Sequence, residues 1–166
     1  MGYDLRISGI NRESIVDGEG LRFVVFAQGC IHNCPGCHNP ETHSLTGGEL
    51  IPVEELFSMI AENPLLDGVT FSGGEPFLQP KPFLELAKMA RASGMDVTIY
   101  TGYTYEELLR EAKENEDIIK LLEETDVLID GRFIEEKKDL SLAFRGSENQ
   151  RIIRLRNGRP QREEQQ

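Results

Sequence analysis

Two kinds of apolar pattern alternate along the chain. Short, nearly continuous runs rich in β-branched residues end in or near glycine at 21–29, 68–73, 96–102 and 126–131, and a fifth, less sharply bounded, covers 151–155. Continuous apolar runs of this length predict strands buried on both faces, as in a parallel sheet. Helical spacing fills the gaps. Val53, Leu56, Phe57 and Ile60 recur at i, i+3, i+4 and i+7 behind Pro52, which suits a first helical turn. Phe83, Leu86, Ala87 and Ala90 repeat the pattern, with Gly94 placed as a stop. Thr104 and Glu107 have the spacing of a capping box that opens an acidic helix. Its core side is expected to run through Leu108 and Leu109 and to resume at Ile118, Leu121 and Leu122, with the glutamates as a solvated face. Ahead of the first long strand, 5–10 and the turn Asp17-Gly18-Glu19-Gly20 predict a leading hairpin.

Strand alternating with helix predicts an α/β fold with right-handed crossovers between parallel strands. A complete (β/α)8 barrel takes about 250 residues, and this chain has 166. With the family resemblance set out below, the expectation is a partial (β/α) barrel of about five parallel strands with a leading N-terminal hairpin. One domain over 1–158 and a disordered tail over 159–166 complete it. A barrel left open on one side calls for a large partner to close it. Ligands in such sheets gather beyond the carboxyl ends of the strands, and the unusual residues of this sequence fall there.

Composition narrows the classes. With 39% apolar and 28% charged residues and a mean hydropathy of −0.38, the chain reads as a globular protein in water. It contains no apolar run near the ~20 residues of a membrane span, and its first residues lack the basic-then-apolar layout of a signal peptide. A cytoplasmic protein with no membrane partner is expected. Eighteen Lys and Arg against 29 Asp and Glu give a net charge of −11 and a pI near 4.8, which argues against a phosphate-tracking nucleic-acid binder. The local exception is 151–162, which holds five arginines and no acid. It is either a docking patch or anion contact, or a solvated terminus.

The three cysteines, Cys30, Cys34 and Cys37, all fall within eight residues. An odd, tightly clustered set is a poor disulfide framework and points to a metal in a reducing compartment. The C-x3-C-x2-C spacing, in a short loop broken by Pro35 and Gly36, can surround one soft metal centre. Zinc would want a fourth ligand, which His32, His38 or His43 could supply. A four-iron cluster normally takes four cysteines, so three leave one iron open to an exogenous ligand. Unligated thiols are the third reading, and spacing leaves all three open.

This loop at the end of a first barrel strand resembles the cluster-binding loop of the radical S-adenosylmethionine superfamily. Cys34-Pro35-Gly36-Cys37 is similar to one branch, the activating enzymes of anaerobic ribonucleotide reductase. Val16-Asp17-Gly18-Glu19-Gly20-Leu21-Arg22 resembles the entry sequence shared by glycyl-radical activating enzymes, and Cys37-His38-Asn39-Pro40-Glu41-Thr42 is similar to their post-cluster loop. Many members place an aromatic residue before the third cysteine. Gly36 stands there in this chain, and His38 is the candidate to cover the cluster instead.

The other strand ends supply further candidates. In Ser72-Gly73-Gly74-Glu75-Pro76, paired glycines by themselves say only that backbone approaches something closely or turns tightly. The resemblance assigns Gly73, Gly74 and Glu75 to the amino group of S-adenosylmethionine, and an ammonium does want exposed carbonyls and a carboxylate. Thr101 could bond a ribose or a carboxylate, or merely stabilise its turn. Asp130 and Arg132 could bind a zwitterion or ribose, matching in position the Asp-x-Lys of related activases, or form a surface ion pair. The run Arg145-Gly146-Ser147-Glu148-Asn149-Gln150-Arg151 looks like the C-terminal signature of the reductase activases. It could line the adenosyl end, order the loop before the last strand, or cap a turn.

The resemblance implies a mechanism. Cys30, Cys34 and Cys37 hold a [4Fe-4S] cluster whose open iron is chelated by S-adenosylmethionine, with Gly36, Cys37, His38, Gly73, Gly74, Glu75, Thr101, Asp130 and Arg132 around the cofactor. An electron from a flavodoxin or ferredoxin breaks the sulfonium bond. The resulting 5′-deoxyadenosyl radical takes a hydrogen from a backbone glycine of the large subunit of an anaerobic ribonucleoside-triphosphate reductase. The chemistry needs no side-chain acid or base, so no catalytic residue is named beyond the ligands. The alternatives are an activase of another glycyl-radical enzyme, such as pyruvate formate-lyase, whose activases usually carry a longer barrel, and a non-catalytic zinc-stabilised binding module.

Overall fold

The computed structural model describes residues 2–30, 47–139, 141, 144, 145 and 147–161, with only the backbone of Glu135. In chain order the elements are β1 (Asp4–Ser14), β2 (Arg22–Ala27), β3 (Glu49–Pro52), α1 (Val53–Ala61), β4 (Gly68–Gly73), α2 (Pro80–Ala92), β5 (Asp96–Tyr100), α3 (Tyr105–Glu111), α4 (Glu116–Glu123), β6 (Val127–Asp130), β7 (Arg151–Arg156) and β8 (Arg159–Pro160). Among the described residues they form one eight-stranded sheet in the order β3-β1-β2-β4-β5-β6-β7-β8.

The centre of this sheet is parallel. Arg22 lies opposite Gly68 between β2 and β4, Gly68 opposite Asp96 between β4 and β5, and Thr98 opposite Val127 between β5 and β6. The leading hairpin forms as expected, with β1 antiparallel to β2. The expectation of five parallel strands needs correction, because β7 runs antiparallel to β6 and the sheet is mixed. A parallel return needs a crossover of a dozen or more residues, usually helical. Helices supply it before β4, β5 and β6. Between β6 and β7, the described residues contain only a three-residue 3-10 turn at Glu135–Lys137, so the chain returns beside β6 in the opposite direction. Arg159 and Pro160, placed by the sequence in a tail, pair with Arg156 and Leu155 as β8.

Period-2 alternation divides the strands between two faces. Leu5, Ile7, Phe23, Val25, Ala27, Val69, Phe71, Val97, Ile99 and Leu128 turn toward the helices and form one core with Leu56, Ile60, Phe83, Leu86, Leu108 and Leu121. Each fully buried side chain of this size contributes about 1.5–3 kcal/mol. Phe71 and Phe83 join sheet to α2 with ring centroids 4.6 Å apart. The Thr104–Glu107 capping box is present in full at the start of α3. Leu109, expected in the core, is 37% exposed instead. The helical pattern breaks after Glu111 and restarts at Glu116 behind the Asn115 cap, so α3 buries only Tyr105 and Leu108. Among the described residues, no helix is long and apolar enough to cross a membrane.

Arg22, Thr70, Thr98 and Ile129 belong to the opposite face, on which no described helix packs. A cavity of about 330 Å³ lies there, with Arg22, Thr98, Ile129, Ile152 and Arg154 in its lining. At the amino ends of the parallel strands the Arg22 guanidinium, 1% exposed, donates to Thr70 Oγ1 at 2.7 Å, Val69 O at 2.8 Å, Glu19 O at 2.8 Å and Asp96 Oδ1 at 2.5 Å. One side chain thereby ties β2, β4, β5 and the β1–β2 loop together.

Candidate functional site

At the carboxyl ends, the loops that leave β2, β4 and β5 are bonded to one another. Gly74 N donates to Ala27 O at 2.8 Å and Glu75 N to Gly29 O at 2.7 Å, so the turn after β4 runs alongside the chain entering Cys30. That approach requires glycine. Gly73 has φ +90°, and a Cβ on it would meet Ala27 N at 2.6 Å and Ala27 O at 2.8 Å. Cys30 is half-buried where β2 runs out.

Glu75 is fully buried. Its carboxylate accepts from Phe77 N at 3.0 Å, Thr101 Oγ1 at 2.8 Å and Gly102 N at 2.8 Å. Buried charge is tolerated when hydrogen bonds of this kind surround it. Thr101 reaches both ways: its N–H donates to Ile129 O at 3.0 Å, and its hydroxyl accepts from Tyr103 N at 3.1 Å. Burial, with the Glu75 carboxylate close by, pushes the Tyr103 phenol up and keeps it neutral. Cys30, Gly73, Gly74, Glu75 and Thr101 thus form one continuous rim. Cys34, Gly36, Cys37 and His38 lie outside the described residues, as do His32 and His43.

Asp130 ends β6 and Arg132 lies two residues beyond it, and each takes different partners. Asp130, fully buried, accepts from Tyr105 N at 2.7 Å and from the Arg151 guanidinium, whose Nε sits 3.0 Å away and whose Nη2 is closer still. Arg132 forks onto Glu107 at 3.1 and 3.3 Å. Arg151 also reaches Glu106 at 2.7 Å. Two arginines therefore grip the first turn of α3, where acids are already favoured by the helix dipole. The electrostatics follow the contacts. Arg151 holds Glu106 below the usual carboxylate range, while the Thr104 N–H and then Arg132 do the same for Glu107. Asp130 and Glu106 in turn push the Arg151 guanidinium up.

The polar run before β7 braces the same loop. Gln150 Nε2 donates to Gly131 O at 3.0 Å, Asn149 Nδ2 to Arg132 O at 2.8 Å and Arg145 Nη1 to Gln150 O at 2.8 Å. Gln150 N also donates to Ser147 O at 3.1 Å and Ser147 N to Gln150 Oε1 at 3.1 Å, so the contacts match both the ordering of the loop and the capped turn. Three further residues of the site had no such role assigned from the sequence. Gly102 supplies an amide to Glu75, and Arg151 is the cation of Asp130. Gln79, at the head of α2, spans Arg6 O at 2.9 Å and Gln28 O at 3.4 Å. Only tertiary contact brings them in.

Residues 16–153 match the family model described as a 4Fe-4S single cluster domain. The anaerobic ribonucleoside-triphosphate reductase-activating protein of Escherichia coli (strain K12) is 35% identical over 153 residues, covering 86% of this chain and 94% of that protein. This chain belongs to the anaerobic ribonucleoside-triphosphate reductase-activating protein family. The Haemophilus influenzae member of the family is 36% identical over 154 residues, with 86% and 93% covered. The pyruvate formate-lyase-activating enzyme of Clostridium pasteurianum is 42% identical over 114 residues, which is 63% of this chain and 48% of that enzyme. Membership makes the chain an activating enzyme with an iron–sulfur cluster rather than a zinc-stapled binding module. It also spans the rim, since the matched residues run from the turn before β2 to the middle of β7.

Proposed function

We propose that this chain reductively cleaves S-adenosylmethionine and takes a hydrogen atom from a backbone glycine of an anaerobic ribonucleoside-triphosphate reductase. The carrying observation is the rim itself: Cys30 leaves β2 directly against the Gly73-Gly74-Glu75 turn, at the end of the sheet where α/β proteins bind their ligands. The rim fits the cofactor. A thiolate ligand, a glycine turn without Cβ atoms and a buried carboxylate stand together there, as an iron centre and an amino-acid ligand require.

A [4Fe-4S] cluster with S-adenosylmethionine supplies, when bound, one-electron cleavage of a sulfonium bond and the hydrogen abstraction that follows. The chain's own residues bind and orient. Cys30, Cys34 and Cys37 are the thiolate ligands, with Gly36 and His38 flanking the third. Gly73 and Gly74 present backbone to the ammonium group. Glu75 adds its negative charge and, by its three bonds, fixes the loops on either side. Thr101 holds that carboxylate in place. Asp130 positions the Gly131–Arg132 turn, because its oxygens are already taken by Arg151 and Tyr105 N. Arg132, on the surface, can release Glu107 for the carboxylate of the ligand. Keeping water out of this rim protects the reactive species, and the reductase closes the face that no described helix covers. The electron donor is a flavodoxin or ferredoxin, and the setting is the cytoplasm.

The test is anaerobic. Purified, iron-loaded protein is given S-adenosylmethionine and reductant, with and without the reductase, and methionine release and the glycyl radical signal are measured. Methionine release plus a radical on the reductase is expected. The similarity to the Clostridium pasteurianum enzyme supports a second target, pyruvate formate-lyase. A radical on that enzyme and none on the reductase would overturn the choice. Cys34→Ala is expected to lose cluster absorption and cleavage together.

A further inference from the structure

The most cationic part of this acidic chain is the hairpin of β7 and β8. We infer that its tip, Arg156 and Arg159, is a docking contact for an acidic segment on the surface of the protein substrate. The inference rests on the reading that this substrate is the reductase.

Four of the five arginines in 151–162 lie among the described residues, and the chain uses them in two ways. Arg151 is neutralised by Asp130 and Glu106, and Arg154 pairs with Glu19 in the β1–β2 loop at 2.6 Å. Arg156 and Arg159 are exposed and pair with no carboxylate among the described residues. They stand directly opposite each other across the hairpin. Like charges in that position destabilise a strand pair. Among the described residues no acid neutralises this pair, and a partner's carboxylates would offset the cost of holding it.

The pair is also held rigidly. Asn157 and Gly158 form the two-residue turn, both left-handed at φ 52° and 78°, as a tight hairpin of this kind requires. Tyr105 Oη donates to Gly158 O at 2.6 Å, and Gln161 N to Arg154 O at 2.9 Å. Leu155 anchors the strand in the core. By alternation Arg156 follows Ile152 and Arg154 on the face without helices, and Arg159 shares it. Ile15 and Val16, 74% and 70% exposed, sit in the loop that Arg154 grips. An exposed apolar loop held by Arg154, with exposed arginines farther along the same strand, is the mixture that protein interfaces use. Nucleic acid is the weaker occupant, since the rest of the chain repels phosphate.

The experiment compares the iron-loaded wild-type chain with R156E/R159E, and with R156Q/R159Q as the milder change, against purified reductase. Cleavage of S-adenosylmethionine without reductase is expected to stay unchanged, and the melting temperature should not fall in either variant, rising slightly in R156Q/R159Q as the like-charge pair is removed. The Kd for the reductase should rise at least about tenfold in the reversal variant, mostly through slower association. The dependence of wild-type binding on salt should flatten in both variants. Radical yield should fall at limiting protein and recover at high concentration. A Kd within about twofold of wild type and an unchanged salt slope in both variants would overturn the docking contact and leave the activase reading intact. Wild-type protein that cleaves S-adenosylmethionine yet neither binds nor activates the reductase would overturn the reading beneath it. Tighter binding of wild type to single-stranded DNA than to reductase would overturn the choice of occupant.

Discussion

Arg22 and Glu75 are both fully buried charges, at opposite ends of the same parallel strands, and their partners differ in kind. Arg22 bonds mainly to strand residues, Val69 and Thr70 on β4 and Asp96 on β5, so it locks register between elements that already pair. Glu75 bonds to Phe77, Thr101 and Gly102, all beyond strand ends, so it fixes loops that have no ladder to hold them. The same device, a desolvated charge satisfied by hydrogen bonds, stabilises the fold at one end and shapes a site at the other.

Substitutions can break that contrast. Arg22→Met should cost the most stability, about 3 kcal/mol, because it strands buried acceptors while leaving Asp96 half in water. Chemical denaturation reads the loss, and S-adenosylmethionine cleavage per folded molecule should be unchanged. A variant of normal stability with lost cleavage would erase the distinction between the ends. Glu75→Gln should show the reverse balance, with about 2 kcal/mol of stability lost and cleavage down at least about tenfold. Intact cleavage in that variant would count against the rim. Thr101→Val keeps the shape and removes one donor to Glu75, so about 1 kcal/mol and a smaller loss of cleavage are expected. A loss as large as that of Glu75→Gln would instead point to direct contact between Thr101 and ligand.

The smallest effect is a pH dependence. Glu106 and Glu107 have lowered values in the folded chain, so the unfolded chain binds protons more readily. Their contribution is present above the ordinary value of 4.5 and is lost as pH falls through the folded values. Melting temperatures measured from neutral pH downward should drop less steeply below that point in Glu106→Gln/Glu107→Gln. Equal slopes would show that the arginine grip on α3 adds nothing.

Much of the fold was legible because strand and helix patterns alternate cleanly and the capping box is local. Strand direction was not. The run Arg151–Arg156 looks the same whichever way it lies, and the relevant signal was the lack of a helical pattern across 131–150 rather than anything in the strand. β3 escaped because Glu49-Leu50-Ile51-Pro52 is four residues long, at the sheet edge and largely exposed, so it has no apolar alternation. Gly73, Gly74 and Glu75 were legible as a motif, and their turn runs beside the chain entering Cys30. What the motif does not carry is the partner of each charge. Asp130 and Arg151 are 21 residues apart, and Glu75 and Thr101 are 26 apart. Such pairs are set by which strands become neighbours.

The core has a consequence for how the protein is made. Its described helices and strands bury one another in a single core, and Glu75 joins three loop donors by hydrogen bonds. Small metal-stapled domains are unfolded until the ion arrives, so in them loading and folding are one event. A core of this size predicts that here the two are separable, so that the iron-free chain still shows one cooperative melting transition in calorimetry. Maturation would then be delivery into a folded receptacle, open to a cellular supply that works on folded proteins.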